Sequence, residues 1–254
     1  MKLAEPAIPA RNFSALTAAE RLIVALDFPA APEARRAVSA IGETAGWFKV
    51  GKQLFTAEGP AFVRELEQAG HNIFLDLKYH DIPATVAGAV KAAAALGVGM
   101  ITVHASGGSQ MLKAAVRAAQ EAEAPPLVVA VTVLTSHTEA ELQEIGMAGR
   151  ILDQALRLAA LARSAGCDGV VASAKEAAEI RRELGTGFAI VTPGVRPAGA
   201  RHDDQARVVT PADAIAAGAT HIVVGRPITG AGNPRAAAQA ILDEIAAAPA
   251  PQAS

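Results

Sequence analysis

Ile73-Phe74-Leu75-Asp76-Leu77-Lys78-Tyr79-His80-Asp81-Ile82-Pro83-Ala84-Thr85 begins as a buried strand and then carries charges where a core strand should have none. Asp76 and Lys78 are two apart, so on a strand both project from one face. Asp81 follows after the strand has run out. Pro83 suits a first helical turn, where its missing N–H would lack a helical partner in any case. The stretch therefore reads as strand, short charged loop, helix. A carboxylate and an ammonium at a strand's C-terminal end, with a second carboxylate just beyond, make a catalytic arrangement. An isolated Asp-x-Lys is more often an ion pair closing a strand, so the rest of the chain must decide.

Working outward, the same alternation recurs. Leu22 to Leu26 is a continuous apolar run ending in Asp27, as a parallel strand buried on both faces should be. Trp47 to Gly51 is a second strand, with Lys49 near its end and a helix from Gly59 to Gly70 after it. The quoted stretch is the third strand, its helix running from Pro83 to Leu96 with Gly97 as stop. Val98–His104 and Leu127–Leu134 are strands four and five; residues 105–126 between them receive no element. Helices follow from about Thr138 and over Arg150–Ala165. Asp168–Ala172 is strand six, with a helix to Leu184, and Phe188–Val191 is strand seven, opening into Thr192-Pro193-Gly194-Val195-Arg196. His221 to Arg226 is strand eight, and Asn233-Pro234 caps the last helix, Arg235–Ala247.

Eight aliphatic runs alternating with helices, undivided by any composition break, predict a single-domain α/β protein, a closed parallel (β/α)8 TIM barrel. A doubly wound open sheet is the alternative, but no G-x-G-x-x-G follows strand one. The 254 residues suit one such barrel. The barrel should occupy residues 20–247, with 1–19 an N-terminal extension outside it, carrying a short helix over Ser14–Glu20, and 248–254 a frayed tail. A hydrophobic share of 51% with only 4% aromatics fits branched aliphatic strands wrapped in Ala-rich helices.

A net charge of −2 marks no nucleic-acid or membrane surface. The lone Cys167 excludes an internal disulfide and reads as a small packed hydrophobe. No Cys/His cluster has metal-site spacing, no apolar run spans a membrane, and Met1–Pro6 is no secretory signal. A cytoplasmic protein is the expectation.

In such barrels the active site lies at the C-terminal ends of the strands. Those positions hold Asp27, Lys49, Asp76, Lys78, His104, Thr135, Arg196 and Arg226. Each alone could be a surface group, and an ordered rim histidine is at least as good a reading of His104 as a ligand contact. Several alternating acids and bases on one rim are harder to explain as solubility. Gly225-Arg226 ends strand eight, where this fold commonly binds phosphate, and a guanidinium fork suits that anion. The loop from Arg196 to Arg207 is longer than a minimal barrel connection and reads as a lid, with a merely disordered excursion as the competing view.

The string D-x-K-x-x-D-I-P-x-T over Asp76–Thr85 resembles the signature of the orotidine 5′-phosphate decarboxylase family, in its bacterial type. A-L-D, F-K-V-G, L-T-S, V-T-P-G-V-R, D-Q-x-R and V-V-G-R follow in family order, from Leu26-Asp27 to Gly225-Arg226. The resemblance implies cofactor-independent decarboxylation of orotidine 5′-phosphate to uridine 5′-phosphate, the last step of de novo synthesis of that nucleotide. It implies Lys78 as proton donor, Asp76 against the substrate carboxylate, and Lys49 in the charge network and on the ribose. It gives Asp27 and Thr135 the nucleoside, Gln205, Gly225 and Arg226 the phosphate, and Arg196 the lid base. It further implies a homodimer in which Asp81 and Thr85 reach the partner's site. No metal and no cofactor are implied.

Two rivals share part of this pattern. Metal-dependent sugar-phosphate decarboxylases and synthases, such as the 3-keto-gulonate-phosphate decarboxylase, resemble the D-x-K-x-x-D core but hold Mg²⁺ with extra carboxylates. Here Lys49 stands at the end of strand two instead of an acid. A catalytically silent phosphate-binding barrel is the other rival, though a sensor has no need of a proton donor.

Overall fold

The computed structural model describes residues 12–197 and 209–249. Eight strands close into one parallel barrel in chain order: β1 (Leu22–Ala25), β2 (Trp47–Gly51), β3 (Asn72–Tyr79), β4 (Met100–His104), β5 (Leu127–Val131), β6 (Gly169–Val171), β7 (Ala189–Pro193) and β8 (His221–Val224). Closure comes from Leu22 pairing with Ile222 and Val24 with Val224. Among the described residues the helices are α1 (Ala18–Arg21), α2 (Ala31–Ile41), α3 (Lys52–Gln68), α4 (Pro83–Ala94), α5 (Gly108–Gln120), α6 (Glu139–Glu144), α7 (Ile151–Ser164), α8 (Ala174–Leu184), α9 (Pro211–Ala216), α10 (Arg226–Thr229) and α11 (Pro234–Ala246).

The continuous apolar runs are explained by two separate cores. Leu22, Val24 and Leu26 face outward into the layer between sheet and helices. Ile23 and Ala25 face inward and meet Phe74, Met100, Val129 and Val191 in the lumen. Period-two alternation therefore persists, but both faces are dry, and polarity does not mark it. Among the described residues, charge enters the lumen towards the C-terminal ends, at Lys49 and Asp76.

Three elements outside the site differ from the expectations. Helix α3 starts at Lys52 rather than Gly59; Gly59 is a kink within it (φ 68°), and Pro60 restarts the helix. Helix α5 occupies the unassigned stretch, burying Met111, Leu112, Ala115 and Ala119 on a stripe of mostly small residues. The N-terminal segment is the third. The short helix begins only at Ala18, where Thr17 and Glu20 form a capping box.

Nor does that segment lie wholly outside the barrel. Phe13 is buried and joins the lumen cluster with Leu16 beside it. Its ring meets His221 edge-on at 6.1 Å, and Trp47 meets the same imidazole at 6.2 Å. The Arg21 guanidinium donates to the carbonyls of Phe13, Ser14, Leu16 and Thr220, tying segment and strand together. An eight-stranded barrel is open at its base, and an aromatic plug excludes water there. Cys167 is buried as expected, its thiol pushed up to about 12 by burial and by neighbouring Asp168. Among the described residues no helix is long and apolar enough to cross a membrane.

Candidate active site

The C-terminal ends of β1, β2 and β3 set four charges in a row of alternating sign. Lys49 Nζ stands 2.9 Å from Asp27 Oδ1 and 3.7 Å from Asp76 Oδ2. Lys78 Nζ stands 2.7 Å from Asp76 Oδ1 and donates to Oδ2 at 2.8 Å. Parallel register places them so, because Ala25 pairs with Lys49 and Gly51 with Asp76. The two middle side chains are nearly sealed, Lys49 at 10% and Asp76 at 12% exposed, whereas Asp27 at the mouth is 63% exposed.

Burial opposes ionisation of Asp76, but the ammoniums of Lys49 and Lys78 and the hydroxyl of Thr102 outweigh it and hold the carboxyl below its ordinary range. Sealed charges of this kind cannot relax by recruiting water. Their mutual geometry is set by the fold before any ligand arrives.

Lys78 is held by more than its ion pair. Its φ is +53°, and it is the one non-glycine residue with positive φ among the described residues. For a lysine the left-handed region costs of order 1–3 kcal/mol, and such strain collects at functional sites. The cause is a bulge: Leu75 pairs with Ile101 and Tyr79 with Val103, so β3 advances four residues while β4 advances two. Asp76 and Lys78 still meet, now through the bulge rather than by plain alternation.

Lys49, Asp76 and Lys78 line a cavity of about 200 Å³ with Phe74, Val131, Val171, Pro193, Val223 and Thr135. Its charged groups come from β2 and β3, while β5 to β8 contribute Val131, Val171, Pro193 and Val223. At the rim, Gly225 passes close to Asp27: a β-carbon there would lie 3.8 Å from Asp27 Oδ2. Arg226 follows at once and heads α10 rather than ending β8. Arg196 is reached just after β7, its N–H donating to Val209 O at 3.1 Å. His104 closes β4 beside His80, ring centroids 5.4 Å apart. Burial, then His80 and the nearby lysines, push it down to about 4, so it is neutral at pH 7.

The structure thus brings Lys49, Asp76, Lys78 and Thr135 to one cavity, with Asp27 paired to Lys49 and Gly225 beside Asp27, immediately before Arg226. Asp81 and Thr85 stand apart from it on the exposed surface. The Asp81 carboxylate accepts from the Ile82 N–H at 2.6 Å. Gln205 and the lid expected over Arg196–Arg207 fall mostly outside the described residues. Thr102 escaped the sequence reading; its only signal is a hydroxyl in the otherwise apolar run Met100-Ile101-Thr102-Val103. Among the described residues no three His, Cys, Asp or Glu side chains converge as a metal site requires.

The family model described as "Orotidine 5'-phosphate decarboxylase / HUMPS family" matches residues 20–241. A protein of Halorhodospira halophila named orotidine 5′-phosphate decarboxylase is 58% identical over 228 residues, covering 90% of this chain and 97% of that one. One of the same name from Alkalilimnicola ehrlichii is 55% identical over 89% of this chain and 97% of its own. Among solved structures, orotidine 5′-phosphate decarboxylase from Lactobacillus acidophilus superposes with a TM-score of 0.81 at 40% identity, over 89% of this chain and 99% of that one.

Proposed function

The chain belongs to the orotidine 5′-phosphate decarboxylase / HUMPS family, and from that membership we propose that it is the orotidine 5′-phosphate decarboxylase itself. It releases CO₂ from C6 of the pyrimidine and forms uridine 5′-phosphate. The observation that carries this reading is the alternating Asp27–Lys49–Asp76–Lys78 row with its nearly sealed Lys49–Asp76 centre, and with an ammonium where the metal-dependent rivals place an acid.

Breaking the bond from C6 to the carboxylate leaves an electron pair on C6, with no conjugated sink in the ring to receive it. Charges placed in advance must stabilise it. The Lys78 ammonium faces the developing carbanion and delivers a proton to C6 as CO₂ departs; water then reprotonates the amine. Two unit charges ~4 Å apart interact by roughly 4 kcal/mol at an effective dielectric near 20, so one cation contributes without sufficing. Asp76 holds Lys78 in place and lies against the substrate carboxylate. Lys49 keeps Asp76 ionised and reaches the ribose with Asp27, while Thr135 meets the base.

The phosphate falls to Gln205, Gly225 and Arg226, with Arg196 at the base of a closing loop. Phosphate contacts lend remote binding energy to the reacting ring. The protein works as a homodimer in the cytoplasm, Asp81 and Thr85 entering the partner's cavity. The surface around Asp81 supports this: Ile82 is 66% exposed beside exposed Pro83, Ala84 and Thr85.

The test is direct. Orotidine 5′-phosphate added to the purified protein should show the same rate of pyrimidine absorbance change with and without EDTA. Loss of activity in EDTA restored by Mg²⁺ would point to the sugar-phosphate rival, and saturable binding without turnover to the sensor.

A further inference from the structure

The bulge in β3 leaves Thr102 alone opposite Asp76, Leu77 and Lys78. A bulge removes ladder partners, and a buried backbone N–H without one is rarely tolerated. The Lys78 N–H finds its acceptor in the Thr102 hydroxyl oxygen, at 2.8 Å. The same hydroxyl spends its single proton on Asp76 Oδ1, at 3.0 Å. One fully buried oxygen therefore joins the strained backbone of Lys78 to the carboxylate its ammonium grips.

We propose that Thr102 is a positioning residue for this site. Its hydroxyl holds Lys78 in the left-handed conformation and sets the rotation of the Asp76 carboxylate, so that ammonium and carboxylate face the cavity together. The inference rests on the decarboxylase reading only for its kinetic consequences. The hydrogen bonds themselves require that the oxygen at position 102 both accept and donate. Valine matches the shape of threonine and can do neither; serine can do both. Thr102 does not line the cavity with Lys49, Asp76 and Lys78, so it acts through them.

Thr102→Val and Thr102→Ser should both fold, since a branched or small side chain suits the strand. In Thr102→Val kcat should fall about tenfold to a hundredfold, the effect of a misplacement approaching 1 Å, with KM little changed. Losing the bond that Asp76 accepts should also move the acid limb of kcat/KM to higher pH. Thr102→Ser should restore both. A Thr102→Val enzyme with the kcat and acid limb of the parent, or a serine variant no better than valine, would overturn the assignment.

A readout without substrate separates this from the functional reading. The Lys78 amide proton should move upfield and exchange faster in Thr102→Val, as followed by NMR on ¹⁵N-labelled protein. An unchanged Lys78 amide would refute the clamp even if the parent decarboxylates orotidine 5′-phosphate. A parent without that activity would refute the function and leave the amide test standing.

Discussion

Gly51 makes room for Lys49: a β-carbon at residue 51 would stand 3.0 Å from the Lys49 ammonium nitrogen and 3.3 Å from Asp27 Oδ1. The glycine's φ of −94° is open to any residue, so the requirement is space rather than backbone freedom. Gly51→Ala should accordingly fold with normal stability. The intruding methyl displaces the Lys49 tip by a few tenths of an ångström and loosens its hold on Asp27. We expect kcat/KM to drop by roughly tenfold, within the range that sub-ångström misplacement costs. Steady-state kinetics beside a thermal melt checks this; unaltered kinetics would mean Lys49 tolerates the shift.

Lys78 and Arg226 should separate chemistry from binding. Lys78→Ala should abolish turnover while keeping measurable affinity for uridine 5′-phosphate, whose phosphate and ribose contacts lie elsewhere. It also strips a sealed carboxylate of one partner, a loss that typically costs ~3–5 kcal/mol in a buried pair, so its melting point should fall. Arg226→Ala should mainly raise KM, with a smaller loss of kcat if phosphate contacts drive loop closure. Titration calorimetry and initial rates distinguish the two, and near-normal turnover in Lys78→Ala would remove the proton donor from the mechanism.

The exposed Asp81 allows a subunit-mixing experiment. In a two-fold dimer each cavity would combine Lys78 of one chain with Asp81 of the other. Lys78→Ala and Asp81→Asn homodimers should both be nearly inactive. In a hybrid, one cavity receives both lesions and the other neither. Exchanging subunits between differently tagged variants should thus restore activity to the purified hybrid. Hybrids as inactive as their parents would show that Asp81 serves its own chain.

At the barrel floor, His221 ties stability to pH. Burial, aided by nearby Arg21 and slightly opposed by Glu20, pushes its imidazole down to about 4 from an ordinary 6.5. The unfolded chain binds a proton below pH 6.5 that the folded chain refuses until about pH 4. Stability is therefore full above 6.5 and declines as pH falls towards 4, by up to roughly 3 kcal/mol from this group. In melts from pH 7.5 to 5, His221→Gln should show a shallower decline than the parent, whatever its absolute stability. Parallel curves would place the acid sensitivity elsewhere.

The fold and the charged row were legible because each has a local signature. A strand with two dry faces must be apolar throughout, and eight such runs between helices leave few topologies beyond a closed barrel. Charges terminating those runs at Asp27, Lys49, Asp76 and Lys78 stand out because a lumen strand has no other reason to carry them. Helix α5 was less visible because a stripe of small residues scarcely contrasts with the rest of an Ala-rich chain.

Other features exist only between residues distant in the chain. Thr102 acquires its place because the β3–β4 register slips around Lys78, and no spacing within either strand announces that slip. Phe13 becomes a floor plug because closing the barrel brings His221 beside it, with Trp47 against the same imidazole. Gly51 matters for the reach of a lysine two residues earlier and of an aspartate on the neighbouring strand. Sequence alone determined which residues carry charge and which are buried, since both follow from the water-avoidance of each short segment. Tertiary structure alone decided how those groups face one another, because hydrogen bonds and ion pairs are settled by tenths of an ångström across strands that only the closed barrel makes neighbours.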